Sequence, residues 1–294
     1  MQDRPLLGIA LMAGFCLLVP LGDGLAKLAG ATVPVLFIVA SRFFAQAILL
    51  APSLRAGVPP GLLPRIAIRT ALHMGAMALL FVSLRYLPLA DAIAIAFVTP
   101  LLVLLLGHVF AGEEVGSTRL LACILGFGGT LLVLQPNLAS AGLVALMPLG
   151  VALGFAIFML MTRSLTRQMG AVPLQAVSGL MASAALLPFV LVADPSSLTG
   201  QDLALLGIIG VLGTLAHLLM TWSLRYAPSA TLAPIQYLEI PVAVAVGAAL
   251  FGDLPGPLAS LGILVTIGAG LLALRSESRV AARSRQTDLR PPPL

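Results

Sequence analysis

Charge is what this chain has least of. Only 9% of its 294 residues are Asp, Glu, Lys or Arg, against about a quarter in a soluble domain, while 60% are apolar. So few charges cannot cover a water-facing surface, and water is not the main solvent. There are 2 cysteines, Cys16 and Cys123, both inside apolar stretches, so they read as packing residues rather than ligands and say little about redox compartment. No HExxH, GxSxG, phosphate-binding glycine loop or zinc-spaced Cys and His set occurs. An intramembrane hydrolase would need a nucleophile or a carboxylate pair at one depth, which Asp23 and Glu239 do not provide. Neither an enzyme nor a metal or cofactor is expected.

Long apolar runs are what the chain does have. A membrane-crossing helix needs about 20 mostly apolar residues, and ten segments qualify: 6–26, 33–52, 67–86, 89–110, 117–135, 142–162, 173–193, 203–224, 229–250 and 257–274. Helices are the default, because an open sheet cannot satisfy its backbone in lipid. The expected class is an all-α integral membrane protein of ten transmembrane helices. Arg4 before an apolar run and Ala29-Gly30-Ala31 imitate a signal peptide. The internal segment 146–162 holds the same place in a second copy, which argues against cleavage.

The basic balance, pI near 10, is topology rather than a nucleic-acid footprint. Counted along the ten segments, 13 of the 16 Lys and Arg fall on the side of the N-terminus: Arg4, Arg55, Arg65, Arg69, Arg119, Arg163, Arg167, Arg225 and five in the tail. Only Lys27 and Arg85 fall opposite. The positive-inside rule then puts both termini in the cytoplasm.

Read at a shift of 140, the chain repeats itself. Leu84-Arg85-Tyr86 and Pro88 return as Leu224-Arg225-Tyr226 and Pro228. Gly112-Glu113 returns as Gly252-Asp253, and Gly14-Phe15 as Gly154-Phe155. Pro100 matches Pro241 at a shift of 141, as one inserted residue would produce. Each copy holds five segments, an odd number, so the second copy must enter the bilayer upside down. The expected units are residues 1–138 and 139–275, two inverted five-helix repeats around a central cavity, followed by a disordered basic tail over 276–294.

An ionisable group at membrane depth costs about 2.5–3.5 kcal/mol on insertion scales, so depth ranks the site candidates. Arg42 lies about 14 Å into its segment and Glu239 about 15 Å into the ninth, at 1.5 Å per residue. Each has an amide on its own helix face, Gln46 and Gln236. One reading is a buried salt bridge locking helix two to helix nine. The functional reading has Arg42 hold an anionic or carbonyl group of a solute, while Glu239 binds a cationic group or takes up a proton. Pro100 and Pro241 interrupt the fourth and ninth segments at matched depths, freeing backbone carbonyls beside Thr99 and Glu239. Paired breaks of this kind point to a transporter's site. Tyr237, next to Gln236, is placed to stack on a ring.

The remaining polar residues leave two readings each. Asp23 and Lys27, beside Pro20 near the outer end of the first segment, form a snorkelling pair or an outer gate. Asp91 caps its helix or binds a ligand. His73 and His217 are packing histidines or a proton relay. Glu113 and Glu114 pair with Arg119 to close a cytoplasmic gate, or are solvated. Glycines of segments five and ten serve internal packing or a dimer contact, so a monomer or weak homodimer is expected.

With Pro100 followed by Gly107 and Gly112-Glu113-Glu114, then Gly126-Phe127-Gly128-Gly129-Thr130, residues 6–274 resemble the EamA family of the drug/metabolite transporter superfamily. The second copy departs from the family pattern, since Gly252-Asp253 replaces a Gly-Glu pair. The resemblance implies secondary transport without ATP in a prokaryotic plasma membrane, driven by a proton or an exchanged metabolite. Alternating access would rock repeat against repeat around Arg42, Gln46, Thr99, Gln236, Tyr237 and Glu239. Leu84 to Ala96 and Gln236-Tyr237-Leu238-Glu239 look like members that take up riboflavin or S-adenosylmethionine. Uptake of a vitamin, nucleoside-like compound or amino acid is the reading, with membrane lipid as surroundings. Export of amino acids or drugs is the alternative within the family, and a structural or channel-like role the alternative outside it.

Overall fold

Apolar runs without water to hydrogen-bond their backbone must close their amides internally, and the described residues do so as helices, with no strand among them. The computed structural model describes residues 4–59, 61–83, 85–87, 89–137, 142–193, 198–252 and 254–288. The helices are α1 (Pro5–Ala29), α2 (Val35–Leu50), α3 (Leu63–Ser83), α4 (Leu89–Ala96), α5 (Thr99–Ala111) and α6 (Ser117–Leu134). They continue with α7 (Leu146–Thr166), α8 (Ala171–Val192), α9 (Gly200–Tyr226), α10 (Ser229–Leu232), α11 (Glu239–Phe251) and α12 (Pro257–Asp288). With α4–α5 and α10–α11 each taken as one broken pass, they make ten passes. Nine stretches among the described residues are long and apolar enough to cross a membrane. The other pass is α3, equally long, whose apolarity is diluted by Arg65, Arg69 and His73.

Local signals set the ends. Pro5 opens α1, where its missing N–H is not needed. Thr199 and Asp202 close a capping box at the start of α9. Helices α5 and α11 both stop at a glycine with left-handed φ, 62° at Gly112 and 74° at Gly252, the two ends of the repeated Gly-acid motif.

The passes that carry Pro100 and Pro241 are interrupted, as expected: the fourth breaks at Phe97-Val98, the ninth runs through a 3-10 segment at Ala233–Leu238, and each proline sits in the first turn of the helix that follows. Pro20 breaks nothing, since α1 runs through it unbroken. Where described, the tail continues α12 to Asp288. Ala, Arg, Glu and Gln are good helix formers, and extending an existing helix carries no nucleation cost. Leu84 and Pro88 of the repeated motif, Asp253 and the last six residues lie outside the described ones.

The passes interlock across the two halves. Helix α1 packs on α9 as α3 packs on α7, and α5 on α7 as α11 on α1; α2 lies on α8, and α6 on α12. Advancing both members of each pair by five passes returns a pair on the same list. Tyr237 and Phe97, repeat mates 140 residues apart, meet at the middle, with the Tyr237 hydroxyl donating to the Phe97 carbonyl at 3.2 Å. Large apolar side chains cover the outside, Phe110 at 78% exposure and Val192 at 89%, as a surface facing hydrocarbon requires.

Along the α6–α12 seam the backbones nearly touch. A Cβ on Gly129 would fall 2.7 Å from Thr266 Cγ2 and 2.9 Å from the Gly262 carbonyl oxygen, whereas one on Gly128 would meet nothing within 4 Å. Gly129 and Gly262 therefore serve contact within the chain. Gly129→Val is expected to lower the thermal unfolding midpoint of purified protein by the equivalent of about 1–3 kcal/mol. Gly128→Ala should leave it unchanged, and equal sensitivity at both positions would contradict the seam.

Candidate functional site

The central charges meet differently from the sequence-based expectation. Arg42 Nη2 lies 2.5 Å from Asp23 Oδ1, so the guanidinium pairs with α1 and not with Glu239 on α11. The reason is the gap that small residues leave. Arg42 extends past Gly213 of α9, where a Cβ would fall 3.3 Å from its Cγ, and reaches Gly22 and Asp23. The salt bridge between helices two and nine does not form. Glu239 heads α11, half-buried, and is close enough to Asp23 for the two carboxylates to interact electrostatically. Asp23, Arg42 and Glu239 are thus one cluster with two acids and one base. Lys27, the other expected partner of Asp23, has its ammonium 4.0 Å above the Phe251 ring.

Beneath this cluster lies a polar network that composition hid. Gln46 Nε2 donates to the Gln175 carbonyl at 2.6 Å and to its Oε1 at 3.3 Å. Gln175 Nε2 donates in turn to the His217 carbonyl at 2.9 Å and to Thr221 Oγ1 at 2.7 Å. Arg69, 1% exposed, donates to Thr162 and Ser178. It was counted above with the cytoplasmic charges, which is wrong: α3 begins four residues earlier than expected and carries Arg69 into the interior. His73 lies one turn farther along α3, stacked on Phe158 and tilted against His217, each at 4.7 Å between centroids. Phe15, Phe43 and Phe155 complete the surrounding ring cluster.

At the end of the bundle that carries the N-terminus, the chain is latched. Glu113 folds over Gly107 and accepts from the Ser229 amide and hydroxyl at 3.1 and 2.9 Å and from the Ala230 amide at 2.7 Å. Arg163 Nε sits 3.0 Å from Glu113 Oε1, and its Nη1 donates to the carbonyls of Leu224 and Ala227. A carboxylate thus meets the start of α10, and a guanidinium the end of α9, each matching the local helix dipole. Both side chains are under 10% exposed, at 8% and 9%, whereas Asp23 toward the other end is 54% exposed. Glu113 was expected to meet Arg119, but that guanidinium donates to the Glu114 carbonyl. Glu114 itself is exposed.

The other candidates are spread out. Thr99 gives its hydroxyl to the Ala96 carbonyl at 2.7 Å, with that of Ala152 at 3.5 Å. Tyr237 is fully buried against Gly126, so its ring fills the helix break instead of facing a ligand. Gln236 is buried with its Nε2 unpartnered. Asp91 lies in the first turn of α4 and accepts from the Asn137 amide at 2.8 Å, tying α4 to the end of the fifth pass. Sequence reading missed Arg69, Arg163, Gln175 and Ser229. Polar residues at helical spacing within apolar runs, Arg69 with His73 and Gln175 with Ser178, were the signal for two of them.

Comparison with known proteins gives a consistent neighbourhood. The model of the EamA-like transporter family matches residues 6–135 and 142–275. A riboflavin transporter of Rhizobium johnstonii is 31% identical over 200 residues, 65% of this chain and 64% of that protein, so the match leaves about a third of that relative's length uncovered. An S-adenosylmethionine uptake transporter of Rickettsia felis is 24% identical over 68% of each chain. A solved structure covering 94% of this chain and 98% of its own has a TM-score of 0.75 at 18% identity, a likeness of fold alone.

If Glu113 holds this end shut, Glu113→Gln should open it, because breaking one side of a buried pair costs about 3–5 kcal/mol. A cysteine placed by Ala230→Cys should label slowly with a membrane-impermeant maleimide in the wild-type background and several-fold faster with Glu113→Gln. Unchanged labelling would contradict the latch.

Proposed function

The chain belongs to the EamA-like transporter family, and from that premise we propose that it is a secondary carrier moving a small organic metabolite by alternating access. It is an all-α, multi-pass membrane protein. The relatives named for riboflavin and S-adenosylmethionine support a vitamin or nucleoside-like solute taken up into the cell. The location is the plasma membrane of a prokaryote with both termini cytoplasmic, supported by the one-sided placement of 12 of the 16 basic residues once the interior Arg69 is set aside. Two matches to the family model, one per half, and the exchangeable helix pairs support inverted repeats at 1–138 and 139–275.

One observation carries the proposal: a buried latch at one end, Glu113 with Arg163, against a partly open charge cluster, Asp23, Arg42 and Glu239, toward the other. A channel needs no such asymmetry, whereas a carrier with one gate closed does. In this reading Arg42 and Glu239 hold opposite ends of the solute, Gln236 offers its spare amide, and Gln46 braces the Arg42 helix against α8. A proton or an exchanged metabolite supplies the driving force, and the protein works as a monomer or weak homodimer.

Uptake of radiolabelled riboflavin into liposomes should saturate with concentration. Arg42→Ala and Glu239→Gln should each abolish it while leaving folding and insertion intact by gel filtration. Normal uptake by both variants removes the site, and uptake that rises linearly without saturation removes the carrier.

A further inference from the structure

Arg69 is a buried guanidinium held only by neutral groups. Its Nε donates to Thr162 Oγ1 at 2.6 Å, its Nη1 to Ser178 Oγ at 2.7 Å and its Nη2 to Gln175 Oε1 at 3.5 Å, with Phe158 4.4 Å below the guanidinium carbon. A guanidinium has five N–H groups, so two remain uncommitted among the described residues. An ionised group without a counter-charge away from water is costly. Among the described residues the cost is not shared with an acid: Asp23 pairs with Arg42, and Glu113 with Arg163.

Arg69 also ends a row. Arg42, partly exposed in the central cluster, packs against Gly213 one turn before His217, and His217 lies 4.7 Å from His73, one turn beyond Arg69 on α3. His217 Nδ1 is buried with no hydrogen-bond partner. Two guanidiniums and two imidazoles therefore run from the open cluster toward the latched end, the inner three facing no carboxylate among the described residues. The rings of Phe155 and Phe158 flank the row beside His73.

We propose that the Arg69, His73 and His217 row is an anion subsite, taking the carboxylate or phosphate of the transported solute or of a small anion that travels with it. The unused N–H groups of Arg69 and the free nitrogen of His217 supply the contacts. Arg42 is the first positive charge that an anion entering from the open end meets. The subsite depends on the transport reading only for how the anion arrives, and binding can be measured without transport.

The test is thermal unfolding of the purified full chain in nanodiscs with sodium benzoate, with neutral benzamide of the same shape, and with inorganic phosphate, all against sodium chloride at matched ionic strength. A saturable rise of several degrees is expected with benzoate or phosphate and none with benzamide. The rise should vanish in Arg69→Gln and survive, reduced, in Arg69→Lys. A rise with phosphate assigns the row to a free anion, and one with benzoate alone to the carboxyl of an organic solute. Where Arg69→Gln does not fold, the wild-type contrast of benzoate with benzamide decides alone. Equal response to benzoate and benzamide, no response to either anion, or a full response in Arg69→Gln overturns the subsite.

Discussion

An ion or an amide taken out of water needs a partner, and that requirement organises this molecule more than any single helix propensity does. Lipid offers none, so polar side chains of the ten passes turn inward and select one another. Arg42 finds Asp23, Glu113 finds Arg163 and the start of α10, and Gln46 and Arg69 converge on Gln175. All but the first join passes that are not neighbours along the chain. Hydrophobic attraction between helices is weak in a hydrocarbon solvent, which leaves such bonds and the close glycine seams to specify which helices meet.

The same requirement shapes the two broken passes. Backbone interrupted at membrane depth must be satisfied inside the protein. The break after α4 offers the Phe97 carbonyl to the Tyr237 hydroxyl, and the 3-10 segment before α11 offers the carbonyls of Ile235 and Gln236 to the Cys16 thiol at 3.6 and 3.9 Å. Tyr237 and Phe97 are repeat mates, so each half closes the other's defect. The two breaks thereby meet between α1 and the α6–α12 seam.

Hydropathy made the passes legible, because it depends on residue type along the chain and not on rotation about a helix axis. What the chain could not reveal was azimuth. Arg42 and Glu239 share a depth, but the helix face and the free volume at Gly213 decide that Arg42 points to α1. Arg69 was hidden by a segment boundary placed four residues late, which left it at the very edge of its segment and made an interior charge look like one more topology-setting residue. Arg163 was hidden by its place among topology-setting residues, although its partner Glu113 stood in a repeated motif. Tyr237 shows the converse error: beside two polar neighbours it read as a ligand residue, while Gly126 leaves a hollow that its ring fills.

If the latched and open ends are two gates of one carrier, they must move in opposition. Double electron–electron resonance between spin labels at Glu114 and Tyr226, and separately at Leu254 and Tyr86, measures both ends with pairs related by the repeat. On adding riboflavin to the protein in nanodiscs, the account predicts that the Glu114–Tyr226 distance lengthens as the Tyr86–Leu254 distance shortens. Two distances that stay fixed, or that change in the same sense, would contradict it.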